Sequence, residues 1–216
     1  MPGVAFFDVD HTLTRRSSGG RFVGLAMRRG VLPRRLLFAM AWFSVAYQLG
    51  VARFSEREGE IPWLRGLRRD TLDRLADESF DSRLRGDLFP GAEALVRRLQ
   101  GEGWRVVLAT SSLDLIVQPL ARHLGAHAVV ASTLRFEDGV CTGRMVGPPM
   151  FRGEKRRAVL SWLEREGIPA GTCAFYSDSF YDLPLLESVG TPVAVNPDRK
   201  LRRTARDRGW QVIDLA

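Results

Sequence analysis

Cysteine and lysine are nearly missing from this chain of 216 residues, which has only Cys141 and Cys173, and only Lys155 and Lys200. Two cysteines in no metal or redox spacing argue against a disulfide framework and make a reducing, cytoplasmic compartment the expectation. The three histidines show no ligand spacing, so His123 and His127 read as structural, and His11 carries no assigned role. Acidic residues are absent between Asp10 and Glu56, a stretch that contains Arg15, Arg16, Arg21, Arg28, Arg29, Arg34, Arg35 and Arg53. The apolar run from Leu36 to Ala52 has 17 residues, short of the roughly 20 that a bilayer-spanning helix requires. No internal repeat, low-complexity tract or long linker breaks the chain.

What is present is a globular composition, 45% hydrophobic and 26% charged, enough for one domain with an insertion or two modest ones. The net charge of +7 is unevenly placed: residues 15–88 hold 15 Arg against 9 Asp and Glu, a net of +6. Such an insert attracts anions, among them phosphate esters and acidic lipid. With no aromatic-studded basic sheet and no familiar binding motif, nucleic acid is not expected as a partner. The scarcity of lysine singles out Lys155, because an ammonium is a compact point charge where guanidinium is a wide planar fork.

Val4-Ala5-Phe6-Phe7 reads as an apolar strand that delivers Asp8 and Asp10 together at its carboxyl end, on one face, with Val9 on the other. Two like charges so close invite a cation, and Mg2+ is the hard ion that works with carboxylates and phosphates. Residues 15–88 then read as helices: Arg21 to Arg29, Pro33 to about Gly50, one capped at Ser55, and Asp70 to Leu84. No strand signal falls in this insert. From Phe89 the pattern alternates: helix 92–102, strand 104–110, helix 113–124 and strand 127–131. A β-hairpin follows over 133–146, turning at Glu137-Asp138-Gly139. Helix 153–167, strand 172–177, a helix from Pro184 to Ser188, strand 192–195, helix 198–208 and strand 210–214 complete an α/β, doubly wound parallel sheet. In such sheets ligands collect at the carboxyl ends of strands, where Asp8, Asp10, Thr110 and Asp178 all fall.

Four motifs therefore occur in order: Asp8-Val9-Asp10-His11-Thr12, Val106 to Ser112, Gly153-Glu154-Lys155, and Tyr176-Ser177-Asp178-Ser179-Phe180-Tyr181-Asp182. Together they resemble the haloacid dehalogenase superfamily, specifically the phosphoserine phosphatase-like subgroup (subfamily IB) with a helical cap after the first strand. The resemblance implies a Rossmann-like catalytic core of residues 1–14 and 89–216 and an all-helical cap of residues 15–88. It implies a Mg2+-dependent phosphatase in which Asp8 is the nucleophile and Asp10 the acid and base. Thr110 and the Ser111 N–H would hold phosphoryl oxygens, and Lys155 would neutralise them. Asp8, Asp10 and Asp178 would bind the metal, and Asp182 would orient Lys155 or a metal-bound water. Ser112 is expected as a plain helix cap, and Asp182 as an alternative one. A removable leader is not expected, since it would take Asp8 with it.

The substrate implied is a small phosphomonoester, phosphoserine-like or histidinol-phosphate-like. Phosphoserine phosphatases carry an acidic residue nine positions after the nucleophile, and Ser17 stands there instead. The rival substrate is a lipid phosphate such as phosphatidylglycerophosphate or lysophosphatidate. In that case Leu36 to Ala52 and the preceding arginines meet an anionic membrane surface. Packing inside the cap or in a homodimer contact is the other use for this run. A phosphotransferase of the same superfamily is not separated from a hydrolase by sequence.

Overall fold

The computed structural model describes residues 3–33 and 59–215. The expected helices from Pro33 to Gly50 and after Ser55, and the apolar run from Leu36 to Ala52, lie outside the described residues.

Six parallel strands form the sheet: β1 (Val4–Phe7), β2 (Arg105–Leu113), β3 (Ala128–Ser132), β6 (Ala174–Ser177), β7 (Thr191–Val195) and β8 (Gln211–Ile213), in the order β3-β2-β1-β6-β7-β8. Strands β4 (Leu134–Glu137) and β5 (Val140–Met145) make a separate antiparallel hairpin. Every residue of β1 is buried, as a central strand covered on both faces requires. Its alternation assigns the two faces: Ala5 and Phe7 pack in one apolar cluster, Val4 and Phe6 in another. Helices α3 (Ala92–Gly101) and α4 (Asp114–Leu124) cover the first face through Leu95, Val96, Leu99, Val117 and Leu120. The short α6 (Leu183–Leu186), with α5 (Gly153–Arg165) and α7 (Arg199–Asp207), covers the second through Val159, Leu163, Leu185, Leu186 and Leu201. The doubly wound sheet expected from the alternating pattern is thus present. Strands β2 and β3 lie to one side of β1 and β6, β7 and β8 to the other, which opens a crevice at the carboxyl ends of β1 and β6.

The insert supplies α1 (Ser18–Arg28) and α2 (Arg69–Ser79), the latter continued by a π-turn over Phe80–Leu84. They share a third apolar cluster, in which Phe22, Leu25, Leu72 and Leu75 meet Leu115 and Ile116 of α4 and Leu134 and Cys141 of the hairpin. The reading of an insert without strand character meets one departure here. Residues 59–69 lie along β5, with Ile61 N–H donating to Gly143 O, Cys141 N–H to Leu67 O and Arg69 N–H to Gly139 O, each at 2.8 Å. A turn at Pro62–Leu64 interrupts this pairing, so no two-residue alternation marks it in the sequence. Strand β2 also runs three residues further than its apolar stretch, taking in Ser111, Ser112 and Leu113.

Chain entry to and exit from the insert run side by side. Phe89 N–H donates to Leu13 O at 3.0 Å, Arg15 N–H to Asp87 O at 2.8 Å, and the Arg21 guanidinium grips Asp87 with bonds of 2.5 and 2.8 Å. Such a bidentate pair fixes orientation as well as distance.

Gly143 occupies φ +77°, and a Cβ there would lie 2.9 Å from Arg65 Cβ. Gly143→Ala is therefore expected to destabilise the junction of residues 59–69 with the hairpin by about 1–3 kcal/mol. Chemical denaturation checks this, and an unchanged midpoint would show that the junction tolerates a side chain.

Candidate active site

Strand β1 ends at Phe7, and Asp8 continues the ladder by donating its N–H to Tyr176 O of β6 at 2.9 Å. This places a carboxylate in the crevice with only 8% of its surface exposed. Lys155, in the first turn of α5, is 2% exposed and aims its ammonium at the same place. Its Nζ lies 3.2 Å from Asp8 Oδ1 and 2.8 Å from Asp182 Oδ2. The Ser177 hydroxyl donates to Asp182 Oδ2 as well, at 2.7 Å. A buried ammonium is costly unless paired and hydrogen-bonded, and two carboxylates supply that here.

Asp182 is thus a direct partner of Lys155. It stands at the start of α6 but makes no side-chain capping bond there, so the capping alternative is overturned. The cap reading of Ser112 is likewise wrong: Leu113 precedes α4, and the Ser112 hydroxyl instead accepts from Ser18 Oγ at 2.9 Å. Both outcomes follow from tertiary partners outcompeting a local helix end. Thr110 is buried beside this pair and accepts the Ser112 N–H at 3.2 Å, while Ser111 is exposed.

Asp178 follows β6, held by Thr12, whose Oγ1 donates to Asp178 Oδ1 at 2.9 Å and accepts the Asp178 N–H at 3.0 Å. Asn196, after β7, donates to Thr12 O at 3.3 Å and accepts from Leu215 N–H at 2.8 Å. The sequence reading gave no role to Thr12, Ser177 or Asn196, although the first two lie inside recognised motifs and the third follows a strand end. Asp10 faces α1: Oδ1 accepts the Ser18 N–H at 2.8 Å and Oδ2 the Ser17 hydroxyl at 3.1 Å. His123 lies 2.9 Å from Glu93 Oε1 and packs on Phe80, a structural place, and His127 is exposed. His11 is exposed with φ +64°.

Burial pushes the Asp8 carboxyl well above the usual carboxylate range despite Lys155, and the charges of Asp182, Asp178 and Asp10 add to the rise. Burial also raises Asp178 to about 6, against the opposing pull of its Thr12 hydrogen bond. For Lys155 burial works against the charge, but Asp8 and Asp182 outweigh it and hold the ammonium above the normal lysine range. Carboxylates therefore outnumber cations in this crevice, a charge balance that a divalent ion corrects. Among the described residues no group of three His, Cys, Asp or Glu side chains forms a closed metal cage. Mg2+ characteristically keeps waters and binds through one or two carboxylates plus substrate phosphate.

A family model described as haloacid dehalogenase-like hydrolase matches residues 5–187. Phosphoserine phosphatase SerB1 of Mycobacterium tuberculosis is 34% identical over all of this chain and 71% of its own length. A histidinol-phosphatase of Neisseria meningitidis is 28% identical over the whole of both chains. Among solved structures, a protein of unknown function from Bordetella pertussis superposes with a TM-score of 0.91 at 31% identity over the whole of both chains. An apo phosphoserine phosphatase gives 0.66 at 18% identity, covering 99% of this chain and 94% of its own, a likeness of fold. The chain belongs to the haloacid dehalogenase-like hydrolases. Within them it is a phosphoric monoester hydrolase.

Because the folded Asp178 carboxyl sits at about 6 against a usual 3.8, the folded state keeps a proton that the unfolded chain has lost between those values. In EDTA, ionising Asp178 thus weakens the fold as pH rises through that window. Asp178→Asn removes the effect, so its melting midpoint is expected to gain on the parent's from about pH 4 to about pH 6 and hold that gain above. A difference independent of pH would show that this carboxylate is not strained by burial.

Proposed function

We propose that this chain is a Mg2+-dependent phosphatase that hydrolyses a small phosphomonoester through a phosphoaspartyl intermediate on Asp8. The observation that supports it most is the buried Lys155 ammonium, 3.2 Å from Asp8 and 2.8 Å from Asp182. A carboxylate is a weak nucleophile toward a dianion unless the charge between them is neutralised, and a fixed ammonium does so without reorganising.

In the first half of the cycle an Asp8 oxygen bonds to phosphorus as the ester oxygen departs, and Asp10 gives that oxygen its proton. In the second half Asp10 takes a proton from water, whose oxygen bonds to the same phosphorus. The bond from phosphorus to Asp8 breaks, which frees phosphate and restores the carboxylate. Thr110 and the Ser111 N–H hold phosphoryl oxygens beside Lys155, so most of the work is positioning and charge. Mg2+, held by Asp8, Asp178 and the main-chain carbonyl of Asp10, would supply the Lewis acidity that draws charge from those oxygens.

Residues 1–14 and 89–216 serve in this reading as the catalytic core and residues 15–88 as the cap that selects substrate. Relatives named for phosphoserine and for histidinol phosphate favour a substrate of that class. Ser17 offers no carboxylate, and its hydroxyl bonds Asp10 and the Gly20 N–H, so an amine-bearing ester must find a carboxylate partner elsewhere. The lipid-phosphate reading, with its anionic membrane surface, rests on Leu36 to Ala52, which lies outside the described residues. No described helix is long and apolar enough to cross a membrane.

Phosphate release is expected from one or more soluble esters in a panel that includes phosphoserine, histidinol phosphate and detergent-dispersed lysophosphatidate. EDTA should abolish it and added Mg2+ restore it. Asp8→Asn, with its circular dichroism unchanged, should have no turnover. Activity within about tenfold of the parent, equal to 1.4 kcal/mol of barrier, would remove Asp8 as the nucleophile. Preference for lysophosphatidate would replace the soluble substrate by a lipid one.

A further inference from the structure

The amino end of α1 touches both parts of the site at once. Asp10 rests both carboxylate oxygens on it, Oδ1 on the Ser18 N–H at 2.8 Å and Oδ2 on the Ser17 hydroxyl at 3.1 Å. Ser17 is the N-cap of α1 and also accepts the Gly20 N–H at 3.2 Å. Ser18 is fully buried and donates its hydroxyl to Ser112 at 2.9 Å, and Ser112 in turn donates its N–H to Thr110 Oγ1 at 3.2 Å. A continuous chain of hydrogen bonds therefore runs from Asp10 through the first turn of α1 to Thr110 on β2.

We propose that Ser17 is a positioning residue for Asp10, holding its carboxyl in one place through both halves of the catalytic cycle. This rests on the role of Asp10 as acid and base proposed above. A free aspartate samples several rotamers, whereas an acid that first gives a proton to one oxygen and then takes one from another gains rate from a fixed place. A hydroxyl suits that duty better than an N–H. It is one donor with two acceptor sites, so Ser17 can donate to ionised Asp10 and accept from protonated Asp10 while one acceptor site stays with Gly20. The Ser18-Ser112-Thr110 links set where the carboxyl sits relative to the threonine that meets the phosphoryl group.

Loss of a helix cap and loss of acid positioning have different kinetic signatures. The readout is kcat/KM over para-substituted phenyl phosphates, from p-nitrophenyl to p-methoxyphenyl, which share a shape and differ in leaving-group basicity. Nitrophenolate departs with little help from a proton, and methoxyphenolate needs more. Ser17→Ala is expected to lose about tenfold more activity on the p-methoxyphenyl ester than on the p-nitrophenyl ester, a fraction of what a general acid contributes. Ser17→Thr keeps the hydroxyl and should keep the parent slope. Where Ser17→Ala does not fold, Ser17→Gly replaces it, since glycine caps a helix nearly as well. A Ser17→Ala line parallel to the parent's, lowered or not, would make Ser17 a cap alone and overturn the proposal. Asp10→Asn on the same esters separates the two failures. A steep Asp10→Asn line beside a parallel Ser17→Ala line removes only the role of Ser17. Parallel lines for both remove the acid assignment of Asp10, and the role of Ser17 with it.

Discussion

One buried ammonium fixes the geometry on which the rest of the site depends. Lys155 reaches from α5 into the crevice between β1 and β6 and is satisfied only because Asp8 arrives from one strand and Asp182 from the turn after the other. Removing either carboxylate leaves a charge with too little compensation, and removing the ammonium leaves two carboxylates facing each other. The three positions therefore stand or fall together. Ser177, which donates to Asp182 from the end of β6, extends the same constraint into the sheet.

A second set of bonds couples the insert to this centre. The Thr12 pair with Asp178 and the α1 contacts with Asp10 both begin in the segment between β1 and the insert. The third apolar cluster joins α1 and α2 to α4 and to the hairpin. The hairpin packs with the insert, and α4 begins just beyond Thr110 and Ser112. Contacts that orient the insert thus pass within a few residues of both the carboxylates and the threonine. The excess of arginine gives residues 15–88 a net positive charge, which attracts an anion such as a phosphate ester before any specific contact forms.

Much of this was legible in the chain, for identifiable reasons. Strands β1 and β6, buried along their whole length, announce themselves as uninterrupted runs, and a carboxylate or hydroxyl directly after such a run must lie at the sheet's carboxyl edge. Lys155 stood out by composition. Thr12 was harder to assign, because its value comes from Asp178, which is 166 residues away. Residues 59–69 were read without strand character because the turn at Pro62–Leu64 breaks the alternation that would mark a strand.

The sequence by itself determined the element order, the parallel sheet and the delivery of Asp8, Asp10, Thr110 and Asp178 to one edge. Those are consequences of local periodicity and of where polarity interrupts it. Only the tertiary structure decided partners: Asp182 bonding Lys155 instead of capping α6, Ser112 meeting Ser18 instead of capping α4, and Asp10 resting on α1. Each of these polar groups had a local bond and a distant one within its chemical means. The choice depended on how helices from separate parts of the chain dock, which no local pattern encodes.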